Sequence, residues 1–102
     1  MKTSERITRV ADQIEAVLDA NPSSRANPEA MAQLLAAAAE LSGGDAYASG
    51  KLVELVAKAQ VFYGPRSRFR LPGRSQGLWS EMREALLDRL RMRARVLASQ
   101  GD

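Results

Sequence analysis

Apolar residues recur at three- and four-residue spacing along four stretches of this chain, separated by polar, proline or glycine breaks, a pattern that predicts four amphipathic helices. In the first, Ile7, Val10, Ala11, Ile14, Val17 and Leu18 form one stripe over about residues 4–20. Thr3 or Ser4 is the expected cap, Glu5 suits the positive end of the helix dipole, and Asn21-Pro22 is the stop. Asn27-Pro28-Glu29 opens the second helix, about 28–42, whose stripe is Met31, Leu34, Leu35, Ala38 and Leu41. Its run Ala36 to Ala39 makes the helix thin enough for close packing, and Ser42-Gly43-Gly44 ends it.

Asp45 or Ser49 caps a third helix, about 46–63, with Leu52, Val53, Leu55, Val56, Ala59, Phe62 and Tyr63 as its apolar positions and Gly64-Pro65 as its stop. The fourth, about 77–99, is lined by Trp79, Met82, Leu86, Leu90 and Leu97, flanked by Leu87 and Ala94. Between them, residues 64–76 hold two prolines and two glycines, which predicts an irregular loop with a tight turn at Pro72-Gly73. The expected fold is all-α: a single domain over 1–102, a small four-helix bundle with an irregular arginine-rich loop between helices 3 and 4.

Composition narrows the chemistry. With 45% hydrophobic and 26% charged residues the chain is an ordinary globular one, and with five aromatics its core must be mostly aliphatic. There is no cysteine and no histidine, so thiol chemistry, imidazole catalysis and the commonest metal ligands are excluded. Ser49 lies near Lys51, but small polar residues at a helix start read as capping rather than as a nucleophile and its base. The carboxylates Glu81, Glu84 and Asp88 share a helix face with Arg91 and Arg95 and read as a salt-bridged surface. No enzyme activity, catalytic residue, metal, cofactor or small-molecule substrate is expected. The longest aliphatic run, Leu34 to Ala39, is too short to cross a bilayer. The first residues lack the apolar segment of a signal peptide, so a cytoplasmic protein without a membrane role is expected, and the arginine-for-lysine bias suits a bacterial or phage source.

Charge is what remains informative. The net charge of +3 is unevenly spread: residues 1–50 hold four basic and seven acidic side chains, and residues 51–102 hold eleven basic and five acidic ones. Arg66, Arg68, Arg70 and Arg74 fall within the loop with no acid among them, and Phe69 stands between two of them. Guanidinium groups match phosphate oxygens with a planar fork of donors, and an aromatic ring beside them, Phe69 or Tyr63, could stack a base. Arg89, Arg91, Arg93 and Arg95 could extend the same surface along the last helix. A helix-turn-helix over 29–63 is disfavoured, because Lys51 is the sole early base on its would-be recognition helix.

These residues point to a non-catalytic protein that contacts an RNA or DNA backbone and serves as a subunit of a larger complex. In size, architecture and charge the chain is like the small helical subunits of multi-subunit ribonucleoprotein complexes, an analogy of fold type alone. The alternative is a small adaptor or inhibitor of the phage or plasmid kind that docks its basic surface on an acidic protein. Both need the arginines to gather into one solvent-facing strip.

Overall fold

A computed structural model of the chain describes residues 1–65 and 72–102, with the side chains of 72–75 left undescribed. The helices are α1 (Thr3–Ala20), α2 (Pro28–Ala39), α3 (Ala46–Phe62), α4 (Pro72–Ser80) and α5 (Leu87–Ser99), the last two joined without a break by a π-helical segment, Glu81–Leu86. The described residues contain no strand, and the all-α bundle expected from the pattern is the fold observed. None of the described helices is long and apolar enough to cross a membrane.

Neighbouring helices run antiparallel, as ties between their ends show. Arg9 on α1 pairs with Glu40 just beyond α2, Lys58 on α3 pairs with Glu81, and the Thr3 N–H at the start of α1 donates to Asp102 beyond the end of α5. One pole of the bundle therefore gathers the end of α1, the start of α2, the end of α3 and the start of α4. The other gathers the opposite ends. Between the poles lies a core of Ile7, Ile14 and Leu18 from α1, Leu34 from α2, Leu52, Leu55 and Phe62 from α3, and Met82, Leu86 and Leu90 from the last rod, all buried.

Two of the expected caps form. The Asn27 side chain accepts the Ala30 N–H at 3.0 Å, and Asp45 accepts the Ala48 N–H at 3.0 Å. Ser49 does not cap; its hydroxyl donates to the Leu41 carbonyl at 3.0 Å and ties α3 to the turn that precedes it. Thr3 and Ser4 lie inside α1 rather than ahead of it, with Lys2 at the cap position, so the expected hydroxyl cap is absent. The second helix ends at Ala39 rather than 42, because its last turn tightens into three-residue bonds from Glu40, Leu41 and Ser42 before Gly43 turns the chain at φ 77°. Gly64 closes α3 where a side chain would run into the Gln60 carbonyl.

The last rod starts earlier than expected. Helix begins at Pro72, not 77, so residues 72–76 are helical rather than part of the loop. A proline in the first turn gives up no needed N–H, and its fixed φ is already helical, so Pro72 is a start and not a turn. The π-helical segment then absorbs an extra residue while Met82 and Leu86 stay buried, and it re-phases α5 against the core.

Two stripes differ in rotation from the expected ones. On α2 the buried line is Ala30, Leu34 and Ala37, continued by Leu41, whereas Leu35 is 47% exposed. On α3, Ala48, Leu52, Leu55, Ala59 and Phe62 face inward, whereas Val53 is 70% exposed. Residues one apart are turned by about 100°, so with the core centred on Leu34 and Leu55 the neighbours Leu35 and Val53 turn outward.

Candidate functional site

The pole where α3 ends is held by polar bonds from the link between α1 and α2. Ser24 Oγ donates to the Phe62 carbonyl at 2.9 Å, the Asn27 N–H donates to the Tyr63 carbonyl at 2.9 Å, and Asn27 Nδ2 donates to Asn21 Oδ1 at 3.0 Å. Tyr63 closes the set. Its hydroxyl donates to the Asn21 carbonyl at 2.7 Å, and its ring meets Phe62 edge-on at 4.8 Å. Burial pushes the Tyr63 hydroxyl up to about 12, since an ionised phenolate would lose its water. The indole N–H of Trp79 points at the Leu18 carbonyl, 3.4 Å away, and brings the first turns of the last rod to the same pole.

This arrangement corrects one expectation at once. Tyr63 is 1% exposed and its hydroxyl is engaged, so it is a structural anchor and not a ring available to a base. The loop arginines Arg66, Arg68 and Arg70, with Phe69, lie outside the described residues; Arg74 sits in the first turns of α4, its side chain undescribed. The chain leaves α3 for this segment at Pro65 and rejoins helix at Pro72. On the neighbouring link, Arg25 is exposed and has no ion-pair partner among the described residues.

The arginines of α5 do not form the expected strip. Arg91 turns toward α1, where Nη1 donates to Asp12 at 2.8 Å and Nη2 to Glu15 at 2.7 Å. Arg93 turns the other way, toward α3, with Nε 3.0 Å and Nη2 2.7 Å from the two oxygens of Asp45. Arg89 and Arg95 stay exposed without an ion-pair partner among the described residues, one turn before Arg93 and one turn after Arg91, and so on opposite flanks. The last helix is thus a clamp between two acidic neighbours, with two free cations on different sides.

Arg83, in the π-helical segment, is a residue that the charge pattern missed. Its Nε and Nη2 donate to the two oxygens of Asp19 at 2.6 and 3.1 Å, and it also approaches Glu15 at 3.5 Å. The hydrogen bonds from Arg83 hold the Asp19 carboxyl below its usual range, and those from Arg93 do the same for Asp45. The signal lay in α1: Asp12, Glu15 and Asp19 are three and four apart, an acidic stripe on one face. Arg25 carried no such signal, being one base in a polar link.

Of the described charged residues at this pole, Arg25 and Glu29 are exposed and line one surface cavity. Residues 55–80 contain no carboxylate, while Glu81 and Glu54, which bracket them, are engaged by Lys58 and Lys51 at 2.6 and 3.2 Å. Comparison of the chain with protein-family models, with curated proteins and with solved structures finds no match.

Proposed function

We propose that the protein is a non-catalytic accessory subunit of a cytoplasmic nucleoprotein assembly, and that it contacts a nucleic-acid backbone with the pole of its bundle where α3 ends and α4 begins. The observation that carries this reading is the way the carboxylates are used. Asp12, Glu15, Asp19, Asp45 and Glu81 are bonded to Arg91, Arg83, Arg93 and Lys58 along the sides of the bundle. In the sequence no acid lies between Glu54 and Glu81, the stretch that holds Arg66, Arg68, Arg70 and Arg74, and Arg25 is exposed with no ion-pair partner among the described residues. Arg89 and Arg95 fall outside this contact.

Guanidinium groups that no carboxylate of the chain engages suit a polyanion. Each one that settles on a phosphate releases condensed counterions, which supplies affinity without regard to sequence. The phosphate chemistry is common to RNA and DNA.

The test is binding to a labelled duplex and a labelled single strand across a salt series. The four loop contacts alone predict a fall of log K against log salt with slope about −3 to −4 on a duplex, and Arg25 adds about −1. Replacing Arg66, Arg68, Arg70 and Arg74 together by alanine should abolish binding at physiological salt. Unchanged binding in that variant overturns the reading. So does a nucleic-acid-free preparation that forms a stoichiometric complex with an acidic protein through the same arginines.

A further inference from the structure

A second feature, adjoining the pole at Asn27 and Tyr63, is the side of the bundle formed by α2 and α3. Helix α2 has one charged residue, Glu29, among its twelve. A helix that is apolar all round is ordinarily buried all round. Here half of it faces out: Ala32, Leu35, Ala36 and Ala39 are exposed, and beside them on α3 lie the exposed Ala46, Gly50, Val53 and Ala57. Two grooves of about 520 Å³ each run between the helices and meet at Gln60. Val53 borders one and Leu35 the other. Charge is confined to the rim, at Glu29, Glu40 and the Lys51–Glu54 pair.

We infer that this face pairs with the same face of a second copy of the chain, giving a two-fold homodimer. Three points select that occupant. The face carries both protrusions, at Leu35 and Val53, and apolar grooves to receive them, which is what a self-complementary patch needs. The other described faces carry charge: Glu5, Arg6, Arg9, Asp12 and Asp19 line the outside of α1, and on α5 Asp88, Arg89 and Arg95 stand among the exposed Met92 and Val96. Among the described residues only the α2–α3 face matches itself without removing a charge from water, which favours an isologous contact. The area also suffices. With 17 residues in α3, the face is about 25 Å long and about 20 Å wide, so a pair hides on the order of 1,000 Å², the lower bound for a specific contact.

The test is the molar mass of the full chain by light scattering, from low- to high-micromolar concentration. The expected mass is twice that of the monomer, halved in Leu35→Glu with Val53→Glu, with the helical circular-dichroism signal kept because both positions are on the surface. Arg89→Glu, on α5, should leave the doubled mass in place. A monomer throughout the range overturns the inference and assigns the face to a different apolar partner. A dimer that survives both glutamates overturns it too, by placing the contact elsewhere. Nucleic-acid binding by the monomeric variant separates this outcome from the fate of the basic pole.

Discussion

Arg93 holds the same carboxylate that caps α3: Asp45 Oδ2 accepts both the Ala48 N–H and Arg93 Nε, while Oδ1 accepts Arg93 Nη2 at 2.7 Å. One side chain thereby starts a helix and ties it to the end of another. Replacing Asp45 by alanine should cost about 1–2 kcal/mol, the ordinary loss of a good cap, since it also leaves Arg93 without its partner. Arg93→Ala should cost less than Asp45→Ala, because the pair is partly exposed and the cap itself survives. Urea denaturation of both single variants and of the double variant measures this. An Arg93 variant as unstable as the Asp45 one would show that the cap contributes nothing.

The two acids held by arginine also set the response to low pH. Asp45, through its hydrogen bonds from Arg93, and Asp19, through those from Arg83, have carboxyls below the ordinary 3.8 in the folded state. The unfolded chain then binds protons more readily, so this stability is fully present above about pH 4 and is lost as pH falls through the lower folded values. Urea midpoints should be level between about pH 5 and 7 and drop below about pH 4, with a smaller drop in Asp45→Asn. A wild-type midpoint that rises on acidification contradicts the assignment.

The four helices were legible because each has strong caps or stops and an apolar period. Along α1 the whole stripe was correct, since polar residues fill every other face and permit one rotation. On α2 they did not: with alanine or leucine at almost every position, no polar side exists to choose between Leu35 and Ala37. Pro72 was misread because proline breaks a helix from within yet begins one well. The arginine strip failed for a tertiary reason. An acidic first half and a basic second half look like a separated pair of charges along the chain, but antiparallel packing lays α1 against the last rod, where Arg83 and Arg91 pair with Asp19, Asp12 and Glu15.

Tyr63 offers a check on the pole itself. Tyr63→Phe removes the donor to the Asn21 carbonyl and should cost about 1 kcal/mol, with protease cleavage first appearing in the 21–27 link. The wild type should in addition lose stability in alkali. Because the folded hydroxyl titrates near 12 against 10.0 unfolded, the favourable term is complete below pH 10 and fades as pH rises toward 12. Tyr63→Phe should flatten that decline. If the variant weakens in alkali as steeply as the wild type, the buried phenol is not its cause.

The free cation on the link separates a phosphate contact from a diffuse positive field. Arg25 is exposed and has no ion-pair partner among the described residues, whereas Arg91 and Arg93 each make two hydrogen bonds to carboxylates. If affinity comes from guanidinium groups that settle on phosphates, Arg25→Ala should reduce the salt slope by about 1. Arg91→Ala and Arg93→Ala should leave it unchanged, because each must first abandon its own carboxylates to reach a phosphate. A field that depends on net charge alone treats all three substitutions alike, since each removes one positive charge. Equal losses of slope for Arg25, Arg91 and Arg93 would therefore remove the pole as the place of contact, even with binding itself intact.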